Sequence, residues 1–376
     1  MTKRLGLVGA GAVAALAFAS VALAAYSPTL TTTRHVDLAG GATTTDITFA
    51  QTNADDPTAR VVIYAPAGFS ATLNQAAGAQ IGTLEGSVVA GGLAGATVPV
   101  GGTITVGDPN SPTLRAAAKQ CTGSEAHTAI WLLNVTAAGQ SLPAPVPVYV
   151  DRLTTPPLSS FASTSLQLCL PHPSVATLGI KLLSATLHTS SVFAPPAAPG
   201  AYRWTAANVP YQGSVNSVNL AGAIESQAVD RTPVTAAFSA KLVTKTRKVK
   251  RKKATFIYYS YFAKLGGQAR RGGEGAAGAN VDIMVGERKV SSATTNTSGS
   301  FTKTLKLTKT TTFHAVFSQN AGTLTGATCQ PALPFGAGAM PCGIITEGAF
   351  SATSANSTLR KPKRTVKVIK NKKKKK

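Results

Sequence analysis

The sequence predicts an all-β chain: a large β-sandwich-type N-terminal domain, a second and strongly basic β-sandwich, and a disordered basic tail. Three observations carry this expectation. Apolar residues recur at every second position over short runs, as in Val281-Asp282-Ile283-Met284-Val285 and Phe301-Thr302-Lys303-Thr304-Leu305-Lys306-Leu307, which is the period of a half-buried strand. Turn signals break the chain at short intervals: Asp55-Asp56-Pro57, Gly101-Gly102, Gly107-Asp108-Pro109-Asn110 and Pro195-Pro196. Aromatic and β-branched residues cluster within the runs, where they suit a pleated surface.

The chain opens with the signature of a secretory signal over residues 1–24. Lys3 and Arg4 form its positive start, Leu5–Leu23 its apolar stretch, and Ala22-Leu23-Ala24 its small-residue cleavage site. No later run approaches the ~20 apolar residues that a spanning helix needs. A wall-sorting LPxTG motif is absent near the C-terminus, so attachment to a surface is expected to be non-covalent.

Residues 25–240 read as β-rich and helix-poor, and are long enough to bury a sizeable core as one domain or two packed sandwiches. Arg60–Ala65, Ala129–Val135 and Val146–Val150 are strand candidates, and Pro147 in the last places it at a sheet edge. Two residues in this region, Cys121 and Cys169, join Cys329 and Cys342 as the only cysteines. Four cysteines in an exported chain predict two disulfides. Proximity favours Cys329–Cys342, around a Pro/Gly-rich loop, and hence Cys121–Cys169. The alternative is a Cys₂His₂ zinc site from Cys121, His127, Cys169 and His172. His172 lies between two prolines and the spacing is not that of a known finger, so the disulfides are preferred and no metal or cofactor is expected. The segment 201–240 closes the unit. Its Trp204 fits a core position better than a carbohydrate platform.

Residues 241–369 form the basic unit. It begins with Lys241–Lys253, eight of whose thirteen residues are Lys or Arg. This stretch reads either as a polyanion patch or as a solvated edge strand guarded by lysine. Thr255–Phe262 follows as an aromatic strand. Gly272-Gly273-Glu274-Gly275, Gly286-Glu287-Arg288 and Asn296-Thr297-Ser298-Gly299 are its turns. Ala349–Arg360 and Thr365–Ile369 supply the last strands. Residues 370–376, ending in Lys372 to Lys376, should be disordered by self-repulsion.

Within this unit, Gly275–Ile283 is a small-residue run leading into a Val-x-Ile strand. Thr295-Asn296-Thr297-Ser298-Gly299-Ser300-Phe301 matches a Thr-x-x-x-Gly-x-Phe turn. In these features residues 241–368 resemble the bacterial immunoglobulin-like domains of secreted and surface proteins. That resemblance implies an Ig-like β-sandwich that acts as a spacer, stalk or adhesive module, with no reaction. The arrangement of residues 25–240 is similar to that of secreted proteins of Gram-positive-type bacteria and implies no activity.

Charge separates the two halves. Residues 25–240 hold eight Lys/Arg against ten Asp/Glu and residues 241–376 hold 27 against four, which with Lys3 and Arg4 gives the formal net charge of +23. Basicity confined to one end points to a polyanionic partner for that end. The residues expected to carry it are Lys248, Lys250, Arg251, Lys252, Lys253, Arg360, Lys361, Lys363, Arg364, Lys372, Lys373, Lys374, Lys375 and Lys376. Anionic cell-envelope polymers or an anionic lipid surface are the expected partners. Sequence-specific nucleic-acid recognition is not, because the tail carries no aromatics for base stacking.

Catalytic motifs are thin. The five histidines are scattered, and neither a G-x-S-x-G elbow nor a phosphate loop occurs. Ser300-Phe301-Thr302-Lys303 matches S-x-x-K, but that pattern needs a helix where alternation predicts a strand. Asp55-Asp56 fits a turn as well as a calcium loop. The expectation is therefore a secreted, non-catalytic envelope-associated structural or adhesive protein. A secreted hydrolase with its site in 25–240, and an extracellular nucleic-acid or polyanion binder, are the alternatives.

Overall fold

The computed structural model describes residues 26–370 apart from 41–42, 138, 177–178, 214, 252, 330–332 and 336–337. The expected signal, Lys252 and residues 371–376, with Lys372 to Lys376, lie outside the described residues; Lys370, expected in the disordered tail, ends the strand Val366–Lys370 opposite Ala254. The fold is all-β, with sheets arranged as sandwiches. Among the described residues no helix is long and apolar enough to cross a membrane.

The N-terminal part contains β1 (Thr29–Asp37), β2 (Thr44–Ala50), β3 (Thr58–Pro66), β4 (Gln80–Ala90), β5 (Ala96–Gly107), α1 (Pro112–Thr122), β6 (Ala129–Ala137), β7 (Val146–Arg152), β8 (Ala162–Cys169), β9 (Ile180–Ser190), β10 (Gly200–Gln212) and β11 (Ile224–Thr232). Neighbours run β1-β2-β9-β4-β5-β6-β7-β8-β3-β10-β11, antiparallel throughout. Alternation decides which face turns inward: β3 buries Ala59, Val61, Ile63 and Ala65. The sheet folds back on itself, so that all eleven strands contribute to one core around Trp131 and Trp204. Both indoles are fully buried, and Trp204 meets Phe69 and Phe193 edge-on at 5.5 and 5.1 Å.

The C-terminal part contains β12 (Val234–Lys250), β13 (Ala254–Arg271), β14 (Asn280–Val285), β15 (Arg288–Thr294), β16 (Ser300–Lys306), β17 (Thr311–Gln319), β18 (Cys342–Glu347), β19 (Ala349–Thr353) and β20 (Val366–Lys370). One layer centres on β13, which pairs with β12, β16 and β20. The other runs β15-β14-β17-β19. Val281, Ile283, Phe301, Phe313 and Phe317 fill the space between them. Gly299 takes the positive φ (+76°) that its turn demands, and a Cβ there would lie 2.2 Å from the Ala269 carbonyl oxygen.

The two parts share sheet. β19 runs parallel to β1, from Thr33 opposite Ala349 to Asp37 opposite Thr353, and β18 runs parallel to β11. The position expected for the domain junction, between residues 240 and 241, falls inside the unbroken strand β12. The expected edge strand is corrected: β7 pairs on both sides, with β6 and with β8. Pro147 is tolerated because the β8 ladder begins one residue later, at Val148. The sequence reading also passed over α1, an eleven-residue helix that begins with Pro112 and stops at Gly123, whose φ is +83°.

Candidate functional site

Both expected disulfides are present. Cys121–Cys169 ties the last turn of α1 to the end of β8, and Cys329–Cys342 closes the loop leading into β18. The bridge removes both sulfur ligands from the alternative zinc set. His127 instead bonds Asp151 (Nδ1 to Oδ2, 2.7 Å) and Thr122, while His172 bonds Ser174 (2.7 Å).

The basic residues assemble on a three-stranded ribbon. The lower half of β13 packs on the C-terminal core through Ala263, Leu265 and Ala269. Its upper half, from Ala254 to Tyr258, pairs with β20 on one side and with Arg247–Lys250 of β12 on the other. Paired residues share a face. Lys245, Arg247 and Val249 therefore stand beside Phe256, Tyr258, Phe262, Val366 and Val368, while Lys248, Lys250 and Lys367 point the other way. Cations cover the rings of the first face: Lys245 Nζ lies 5.2 Å from the Phe262 centroid, and the guanidinium carbons of Arg247 and Arg251 lie 5.7 and 5.5 Å from those of Tyr258 and Phe256. Such contacts contribute roughly 0.5–1 kcal/mol each at exposed sites. No Asp or Glu occurs in residues 241–271 or 349–370, so no carboxylate from these segments offsets the field.

The expected polyanion residues fall on this surface in two groups. Lys248, Lys250, Arg251 and Lys253 lie at and beside the β12–β13 turn, all exposed. Arg360, Lys361, Lys363 and Arg364 lie in the segment entering β20. There Tyr261 donates its hydroxyl hydrogen to the Arg364 carbonyl, and Lys361 N–H donates to Thr310 Oγ1 at 3.2 Å. Pairing of β13 with β20 joins two basic stretches more than a hundred residues apart. Lys245, Arg247, Lys367 and Lys370 complete the surface, and their signal was the same lysine-rich alternation.

The other candidate motifs resolve into structure. Asp55 is buried, and its carboxylate accepts N–H groups from Ser27 (3.0 Å) and Thr52 (2.6 Å). Ser300 and Lys303 sit three apart on strand β16 and so project to opposite faces.

One constellation escaped sequence reading. Four adjacent strands, β1, β2, β9 and β4, bring together His35, Asp46, His188 and Glu85. His35 Nε2 lies 2.7 Å from Asp46 Oδ2, His188 Nδ1 lies 2.9 Å from Asp46 Oδ1, and His188 Nε2 lies 3.2 Å from Glu85 Oε1. Burial alone would raise the Asp46 pKa, but its hydrogen bonds to both histidines outweigh that and hold it below the usual value. The bond to Asp46 raises His35, with burial opposing. These groups satisfy one another beside an open cleft of about 660 Å³. Among the described residues no group of three or more His, Cys, Asp or Glu is placed to hold a metal ion.

No protein-family model matches the chain, and no curated protein matches it.

Proposed function

We propose that this is an exported, non-catalytic structural or adhesive protein of the cell envelope, held on anionic polymers by its basic ribbon while the large N-terminal sandwich projects outward. The observation that carries the reading is the joining of two remote basic stretches into one acid-free ribbon. Clustered Lys and Arg bind polyanions by releasing their counterions, and the contact weakens steeply with salt. The two disulfides agree with an oxidising compartment. The immunoglobulin-like resemblance fits a spacer role. Single-stranded nucleic acid is the second reading, favoured by Phe256, Tyr258 and Phe262 standing among cations on one face.

Co-sedimentation with purified bacterial envelopes across a salt series tests the reading. Wild-type protein should sediment at low salt and be released as salt rises. A variant with Lys245, Lys248, Lys250 and Lys367 changed to Gln should be released at lower salt. Association that ignores both salt and these substitutions would sink the proposal.

A further inference from the structure

Far from the ribbon, the N-terminal sandwich is not packed solid. A cavity of about 270 Å³ opens between β4, β5 and β9 on one side and β6–β8 on the other. Its walls are aliphatic, with Leu84, Val88 and Leu182 facing Leu133 and Leu168. A second, smaller void of about 40 Å³ shares Leu133, Leu168, Leu182 and Ala185 as lining and is bounded also by Phe49 and Val61. An apolar space of this kind gives water few partners, and empty it leaves its lining short of dispersion contacts.

One ionisable side chain reaches the wall among the described residues, that of Lys181. Its Nζ donates to the Asn53 carbonyl oxygen at 2.8 Å and to that of Asp55. An ammonium has three hydrogens, so one remains beyond these two bonds. Its neighbours are carbonyl dipoles, not a bonded carboxylate.

We propose that this cavity binds the tail of a single-chain aliphatic acid, with the ligand's carboxylate seated against the Lys181 ammonium. Size restricts the occupant. The cavity falls just below the roughly 300–1,000 Å³ of drug-sized pockets, so one short unbranched chain fits where a two-tailed lipid does not. Length would come from the adjoining void, which shares four lining residues with the first. Charge selects the head: burial pulls the Lys181 pKa down, with Asp55 and Asp56 opposing more weakly, and an arriving carboxylate would restore the favourable environment for the cation.

Calorimetric titration with decanoate, decan-1-ol and decyltrimethylammonium tests this. Decanoate should saturate one site and bind on the order of tenfold tighter than the alcohol, as a hydrogen bond to a charged group implies, and the ammonium should bind weakest. Lys181→Gln should erase the preference for decanoate while leaving the alcohol unchanged. Ala185→Phe, which fills the channel, should abolish binding of both. Should that variant fail to fold, methyl chemical shifts of the wild type decide. Perturbations centred on Leu84, Val88 and Leu133 support the site, and perturbations elsewhere overturn it. Absence of saturable decanoate binding, or equal affinity for decanoate in wild type and Lys181→Gln, would also overturn it.

Discussion

The N-terminal sandwich and the basic ribbon are built from the same strand geometry and put it to opposite uses. In the sandwich each strand hides at least one face, β10 and β11 both, and one charge pair is taken inside in matched form. Arg34 and Asp230 are both buried: Arg34 Nη2 and Nε donate to Asp230 Oδ2 at 2.7 and 3.2 Å, and Nη1 donates to Thr45 Oγ1 at 3.1 Å. In the ribbon, residues 241–258 belong to neither core, and cations alternate with half-buried rings. Where a strand has a core behind it, sequence specifies packing. Where it has none, sequence specifies a surface.

That contrast is testable as a difference in stability. The largest effect should come from Asp230→Ala, which strands a buried guanidinium and should cost about 3–5 kcal/mol, read by chemical denaturation. A loss under 1 kcal/mol would mean that water or another group reaches Arg34, and that the sandwich is looser than its burial indicates. Next comes the Cys121→Ala, Cys169→Ala double variant. Opening a bridge between residues 48 apart in sequence should cost about 2–4 kcal/mol. Reduction of the wild type opens Cys329–Cys342 as well and should cost at least as much.

What the sequence discloses follows the same division. Strands with a clear period of two, such as Asn280–Val285 with Val281 and Ile283 buried, are legible because alternation and burial are one fact seen twice. α1 was not, since its apolar stripe is short, Leu114, Ala118 and Cys121, and only Ala118 is buried. Pro112 and Gly123 were its visible boundaries. Parallel pairing of β19 with β1 leaves no local mark, because it joins residues about as far apart as the chain allows. The basic stretches could be read individually, but their joining required knowing that β20 pairs with the upper half of β13. His35, Asp46, Glu85 and His188 meet only because β1, β2, β9 and β4 are neighbours, and no spacing in sequence encodes that.

The histidine cluster gives a smaller, pH-dependent effect on the sandwich alone. His35 has a raised pKa in the folded protein, so its contribution is complete below the unfolded value of 6.5 and is lost as pH rises through the folded one. Asp46 is lowered from 3.8, so its contribution is present above 3.8 and lost as pH falls through the folded value. Both act together between 3.8 and 6.5. His35 is 43% exposed at its side chain, and screening limits the pair to no more than about 1 kcal/mol. Thermal melts should therefore show a small decline on the alkaline side of pH 6.5, and His35→Ala should remove it. A decline that persists in the variant assigns it elsewhere.

The smallest effect on stability should come from the ribbon itself. Changing Lys245, Lys248, Lys250 and Lys367 to Gln removes four exposed cations that support no core. Exposed substitutions of this kind usually stay within about 0.5 kcal/mol each. The sign is informative. Like charges repel across an acid-free ribbon, so neutralisation should leave the melting temperature unchanged or raise it slightly at low salt, and high salt should abolish the gain by screening. If instead the variant melts well below the wild type, the stems of these lysines hold the ribbon together, and its basicity would be a consequence of packing. Unchanged or improved stability combined with earlier release from envelopes would separate the two roles: a sandwich selected for what it buries, and a ribbon selected for what it exposes.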